Sequence, residues 1–184
     1  RLVAEGYRVI VSAPRDEYTD RVVQFGCEYR ETEIDNHSKN IFKDAWLFVR
    51  CLWLLRTERP DCVLCFTVKP NVYMSLAARI LGIGYVDNIT GVGVNLRNPS
   101  MTSAVLRVLY KISLKPSRKV FLQNFEDKNY FVENKLVSEE LTDRLPGSRI
   151  NLTEFSILKR DHITDTTFLM VPRLLKEKDV EEYC

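Results

Sequence analysis

Cys62-Val63-Leu64-Cys65-Phe66-Thr67-Val68-Lys69-Pro70-Asn71 is the stretch on which the fold turns. Its first five residues are an unbroken apolar run, short and bounded by polar residues, which reads as a strand buried on both faces. A threonine, a lysine, a proline and an asparagine then break the run, and residues 71–81 take up helical spacing. Upstream, residues 41–59 carry Phe42, Ala45, Trp46, Val49, Leu52 and Trp53 at three- and four-residue intervals, one apolar helical stripe of the kind that faces a core. Pro60 ends that helix. The unit is therefore helix, strand, polar edge, helix.

The same alternation extends in both directions. Val9-Ile10-Val11, Tyr85-Val86-Asp87-Asn88-Ile89, Val120-Phe121-Leu122 and Phe168-Leu169-Met170-Val171 repeat the strand signature, and residues 27–34 form a weaker, alternating edge candidate. Helical patterns occupy residues 16–25, 102–114 and 126–134. Such an order builds a parallel sheet through right-handed crossovers, so the expected class is α/β, Rossmann-like, with helices on both faces. Past Leu145 the alternation loosens at Pro146-Gly147. The expected division is a first domain over 1–155, a crossover over 156–166 and the opening strand and helix of a second domain over 167–184.

The 184 residues include 27 basic and 25 acidic side chains, a net charge of +2, so no bulk field marks a nucleic-acid partner. Five scattered cysteines suit reduced thiols in a cytosolic protein. Cys62 and Cys65 stand three apart in an extended run and so point to opposite faces, which disfavours zinc or dithiol chemistry. No apolar stretch reaches the ~18 to 20 residues of a membrane-spanning helix, and no signal-peptide pattern opens the chain. The expected location is the cytoplasm, where the Asn36, Asn88 and Asn151 glycosylation triplets carry no weight. Arg1 and Cys184 both fall inside helical patterns, so truncation at both ends is expected.

In open parallel sheets ligands bind beyond the carboxyl ends of the strands. There the sequence places Lys69, Asn71, Thr90, Gly91, Gly93, Asn124 and Arg173, a set of hydroxyl, amide, basic and glycine positions suited to a polar, hydroxyl-rich ligand. Taken singly each also suits a cap or a turn. Gly91-Val92-Gly93 lacks the third glycine and the following helix of a dinucleotide fingerprint, and no phosphate-binding Gly-Lys-Ser/Thr loop exists. His37 and His162 lie in polar stretches without triad or metal spacing, and no metal or cofactor is expected. Arg107, Lys111 and Lys115 recur every four residues in a stretch with no acid between Asp87 and Glu126. That stripe reads either as a solvated face or as a contact with anionic lipid.

Several segments, in order, resemble the retaining family 4 glycosyltransferases of GT-B architecture, in particular the bacterial branch that extends lipid-linked sugars for surface polysaccharides or glycans. These are Leu2-Val3-Ala4-Glu5-Gly6-Tyr7-Arg8-Val9, Ala13-Pro14-Arg15-Asp16-Glu17-Tyr18, Glu58-Arg59-Pro60-Asp61, Phe66-Thr67-Val68-Lys69-Pro70-Asn71, Asn88-Ile89-Thr90-Gly91-Val92-Gly93 and Leu145-Pro146-Gly147-Ser148. Val171-Pro172-Arg173-Leu174-Leu175-Lys176-Glu177-Lys178-Asp179 is similar to the family's donor motif. The resemblance implies a nucleotide-diphosphate sugar as donor, a UDP-sugar foremost, and a lipid-diphosphate or saccharide acceptor. It further implies retained anomeric configuration, no obligatory metal and Arg173 and Lys178 as neutralisers of the diphosphate leaving group. Pro172 and Asp179 replace the two glycines of the donor motif, and Arg149 stands where the branch usually has another. Those departures keep open a non-catalytic module, and GT-B architecture also serves sugar-nucleotide epimerases. The paired glutamates of the donor domain would lie beyond Cys184, so the chain alone is expected to be inactive.

Overall fold

The computed structural model describes residues 1–34, 40–92, 96 and 98–145. Along them run β1 (Ile10–Ala13), α1 (Thr19–Gln24), β2 (Glu28–Glu31), α2 (Ile41–Glu58), β3 (Cys62–Phe66) and a π-helical turn (Pro70–Met74) continuing as α3 (Ser75–Ile80). Then follow β4 (Gly84–Ile89), α4 (Met101–Leu114), β5 (Lys119–Leu122), α5 (Phe125–Glu133) and β6 (Thr142–Arg144). All strand pairs are parallel, in one sheet of order β3-β4-β5-β6 and a second of β1-β2. Parallel sheets flanked by helices are the Rossmann-like α/β class that the alternation predicts. The helices begin where side chains can satisfy their first amides: Asn40 accepts from the Phe42 amide, Ser100 and Ser103 form a reciprocal capping box, and Asn124 accepts from the Asp127 amide. Ser100, two residues before Thr102, is thus the cap of α4.

Register decides which side chains share a face. Cys65 pairs with Asp87, Tyr85 with Val63, Asp87 with Val120, Ile89 with Leu122 and Val120 with Thr142, so these residues all project to one side. That side is sealed, with Cys65, Tyr85, Asp87, Ile89, Val120 and Leu122 each 2% exposed or less. Leu47, Cys51 and Leu55 of α2 and Ala77 and Ala78 of α3 cover Tyr85, while Tyr110 and Leu114 of α4 and Phe131 of α5 cover Ile89, Val120 and Leu122. Tyr110 and Phe131 meet edge to face at 5.3 Å.

The other side of β3 is open: Leu64 and Phe66 are more than half exposed. An unbroken apolar run therefore does not mean burial on both faces here, because the described helices that pack on β3 all lie against its Cys65 side. A second expectation also reverses. Of the predicted stripe on α2, Phe42, Ala45, Trp46, Val49 and Trp53 are exposed and Leu52 alone is partly buried, while the buried stripe is Leu47, Cys51 and Leu55, about 180° away at 3.6 residues per turn. The helix carries two apolar stripes, and spacing alone does not say which one the sheet selects. The strand β6 has no apolar signature at all, since Thr142-Asp143-Arg144 is an edge strand in which only Thr142 is buried.

The two-stranded sheet is built differently. None of Ile10–Ala13 is buried. Tyr29 donates its hydroxyl to the Ala13 carbonyl at 2.7 Å, and Ser12 and Thr32 share a hydrogen bond of 2.6 Å. Arg8 bridges Glu28 at 2.6 Å and Glu58 at 2.8 Å, and Arg30 bridges the same two carboxylates at 2.8 Å and 2.5 Å. This closed ring of four charges ties β2 to the end of α2. Arg30 and then Arg8 hold the Glu58 carboxyl below its ordinary range, as Arg8 does for Glu28. The expected crossover and second-domain start lie outside the described residues.

Candidate functional site

Residues that follow β3 and β4 share the carboxyl edge of the larger sheet, because the two strands are parallel neighbours. Thr67 opens the edge at a φ of +65°, a left-handed conformation that is a genuine outlier for a β-branched residue. Strain of this type costs about 1 to 3 kcal/mol and persists where surrounding structure enforces it. Here the Thr67 carbonyl accepts from the Asn71 amide at 3.1 Å, an α-type bond that leads into the π-helical turn.

Within this turn the predicted residues take distinct roles. Lys69 places its Nζ 2.6 Å from Asp44 Oδ1 of α2, with side chains only 12% and 20% exposed. Tyr73 hydrogen-bonds the same carboxylate, and burial together with the Asp44 charge pushes its phenol up to about 12. Lys69 is thus a positioned cation in a three-residue cluster. Asn71 is 1% exposed and donates from Nδ2 to the Asn88 carbonyl at 2.9 Å, pinning the turn to the end of β4. Its Oδ1, like that of Asn88, is buried without a partner among the described residues.

Beyond β4, Thr90 is exposed and Gly91 holds a φ of +146°, a region that favours glycine. Asn124 serves as a helix cap, accepting from the Asp127 amide at 2.7 Å and donating to its carboxylate at 3.0 Å. Beside the Lys69–Asp44 pair opens a depression of about 310 Å³ whose walls include Glu33, Lys43, Trp46 and Arg50. Gly93, Arg173, Lys178, His37 and His162 lie outside the described residues.

The basic stripe of α4 is divided by the fold. Lys111 and Lys115 are exposed, but Arg107 turns inward and donates from Nη2 to the Leu96 carbonyl at 3.0 Å, with its Nε buried and lacking a partner among the described residues. Spacing of four along a helix drifts around the axis, and the first member of the stripe lands where a carbonyl can claim it.

Sequence reading misses Asp44 and Tyr73, since nothing local connects position 44 to position 69. It also misses Asp87, which sits in the sealed face with Oδ1 accepting from Ser75 Oγ at 2.6 Å and Oδ2 without a partner among the described residues. Burial raises its carboxyl to about 7. Cys65 is buried beside Ser75 while Cys62 is exposed, on opposite faces as an extended chain requires. Burial pushes the Cys65 thiol up, away from reactive thiolate. Among the described residues no three His, Cys, Asp or Glu side chains are grouped to hold a metal ion, and no helix is long and apolar enough to cross a membrane.

Residues 1–124 match the family model described as Glycosyl transferase 4-like. The chain belongs to that family. Among solved structures it is similar to a glycosyltransferase from Rickettsia africae ESF-5, at a TM-score of 0.64 and 18% identity, over 84% of this chain and 38% of that one. It is similar also to MurG from Acinetobacter baumannii, at 0.51 and 14%, over 83% and 40% of the two chains. A UDP-GlcNAc 2-epimerase from Neisseria meningitidis bound to UDP-GlcNAc aligns at 0.51 and 20%, over 73% and 37%. At such identities these likenesses concern the fold, and the chain spans well under half the length of each structure. None of the curated proteins matches the chain.

Proposed function

We propose that this glycosyl transferase 4-like chain is the acceptor-side domain of a GT-B enzyme that moves a hexose or N-acetylhexosamine from a nucleotide-diphosphate sugar, foremost a UDP-sugar, to a lipid-diphosphate or saccharide acceptor with retention. The observation that carries the reading is the family match across residues 1–124. The polar carboxyl edge built from Lys69, Thr90 and Gly91 supports it as the place where acceptor hydroxyls would lie. Asp44 orients the Lys69 ammonium, which would then meet the acceptor as a fixed charge that needs no reorganisation. On this reading Arg173 and Lys178 neutralise the departing diphosphate, no cofactor or metal is required, and the reaction takes place on the cytoplasmic side beside an anionic membrane.

A second reading, isomerisation of the sugar nucleotide, is favoured by the structural likeness to an epimerase bound to UDP-GlcNAc. Labelled UDP- and GDP-sugars, incubated with lipid-diphosphate and saccharide acceptors, separate the two. The assay is run on the full reading frame and on this chain side by side. Transfer to an acceptor with retained configuration by the full reading frame, and none by the chain alone, is the expected result. Isomerised donor without transfer would favour the epimerase, and neither product would favour a binding module.

A further inference from the structure

A helix on a sheet ordinarily presents an apolar stripe inward and a polar one outward. Two helices of this chain break that rule on the same side of the molecule. On α2 the outward stripe is Phe42, Trp46, Val49 and Trp53, from 50% to 83% exposed. On α4 it is Met101, Val105, Val108 and Ile112, from 44% to 90% exposed, turned away from the buried Tyr110 and Leu114. Both helices bury their opposite sides against one face of the β3-β4-β5-β6 sheet, so both outward stripes look away from it.

The charge beside these stripes is mostly basic. By helical spacing Lys43 and Arg50 border the α2 stripe on one side, where Arg50 is paired with Glu33 at 3.2 Å, and Arg56 borders it on the other; the exposed Lys111 and Lys115 border that of α4. The acids of α2 are Asp44, joined to Lys69, and Glu58, joined to Arg8 and Arg30. The helix α4 has none. A partner protein would have to match the relief of two separate helices, whereas the headgroup boundary of a bilayer accepts aromatic and aliphatic side chains between cations without shape complementarity. Tryptophan and phenylalanine are residues suited to that depth.

We infer that the outward stripes of α2 and α4 form a surface that seats this chain on an anionic lipid bilayer, with their apolar side chains at the headgroup boundary and the exposed Arg56, Lys111 and Lys115 on the phosphates. The inference rests on the membrane side of the proposed function but not on the glycosyl acceptor. It also revises the contact predicted from sequence, since Arg107 faces inward and an apolar stripe takes its place.

The two tryptophans of the sequence, Trp46 and Trp53, both stand on the α2 stripe, so their emission reports this surface alone. The chain is titrated with vesicles of phosphatidylglycerol and phosphatidylcholine containing neither acceptor nor nucleotide sugar. Failure here therefore leaves the glycosyl-transfer reading untouched, and failure of transfer leaves this one. Blue-shifted emission, quenching by lipids brominated near the headgroup, and binding ~tenfold or more tighter than to pure phosphatidylcholine are expected. Lys111→Gln/Lys115→Gln should weaken binding, and Val105→Gln/Val108→Gln should lower the retained fraction in sedimentation, each with unchanged far-ultraviolet circular dichroism. Unshifted emission with vesicles, equal binding to neutral lipid, or a dimer in ultracentrifugation whose formation alone shifts the emission would overturn the proposal, the last in favour of a second copy.

Discussion

In the four-stranded sheet, Cys65, Tyr85, Asp87, Ile89, Val120 and Leu122 are sealed beneath four helices; in the two-stranded sheet no residue of β1 is buried, and β2 is fastened to α2 by Arg8, Glu28, Arg30 and Glu58. Both use parallel pairing. The first relies on apolar surface removed from water, which salt barely alters; the second relies on exposed charge, which salt screens. The site edge belongs to the first region, where Asn71 is locked between the π-helical turn and β4. At the site edge position is fixed by a buried hydrogen bond and the sheltered Lys69–Asp44 pair, and in the two-stranded sheet by more exposed charge.

The largest effect is expected in the core. Phe131 is fully buried and meets Tyr110 and Tyr130 edge to face, so Phe131→Ala should destabilise the four-stranded region by about 3 to 5 kcal/mol in denaturant unfolding. A loss below ~1 kcal/mol would mean that this cluster does not hold the sheet.

Asp87 sharpens the contrast between the two sheets. Its carboxyl is raised from 3.8 to about 7 because burial penalises the charged form. The folded state thus holds the proton more tightly than the unfolded one, and the associated stability is complete below the unfolded value and lost as pH rises through about 7. The loss is on the order of 4 kcal/mol. Glu28 and Glu58 are lowered and act in the opposite sense, contributing at neutral pH and losing it in acid. The difference between wild type and Asp87→Asn isolates the buried group: the substitution should flatten the decline between mildly acid and alkaline pH, and a parallel decline in both proteins would place Asp87 in contact with solvent.

The smallest effect is expected in the charged region. Glu58→Gln should speed amide exchange in β1 and β2 at low salt, leave β4 and β5 unchanged, and converge with wild type at high salt. Equal acceleration in both sheets would show that the ring supports the whole fold.

By itself the sequence determined the alternation of strands and helices, and the helix limits within a few residues, because capping residues, apolar spacing and Pro60 act over a single turn of chain. It also determined that Lys69, Thr90 and Gly91 follow neighbouring strands at the same end, since parallel strands place whatever follows them there. Tertiary structure alone decided which of two apolar stripes on α2 meets the sheet, that Thr142-Asp143-Arg144 becomes a strand, that Asp44 takes hold of Lys69, and that Arg107 turns inward. These outcomes depend on partners 11 to 25 residues away or more, and a local pattern cannot encode them, since the same residues satisfy their own helix or turn equally well in either arrangement.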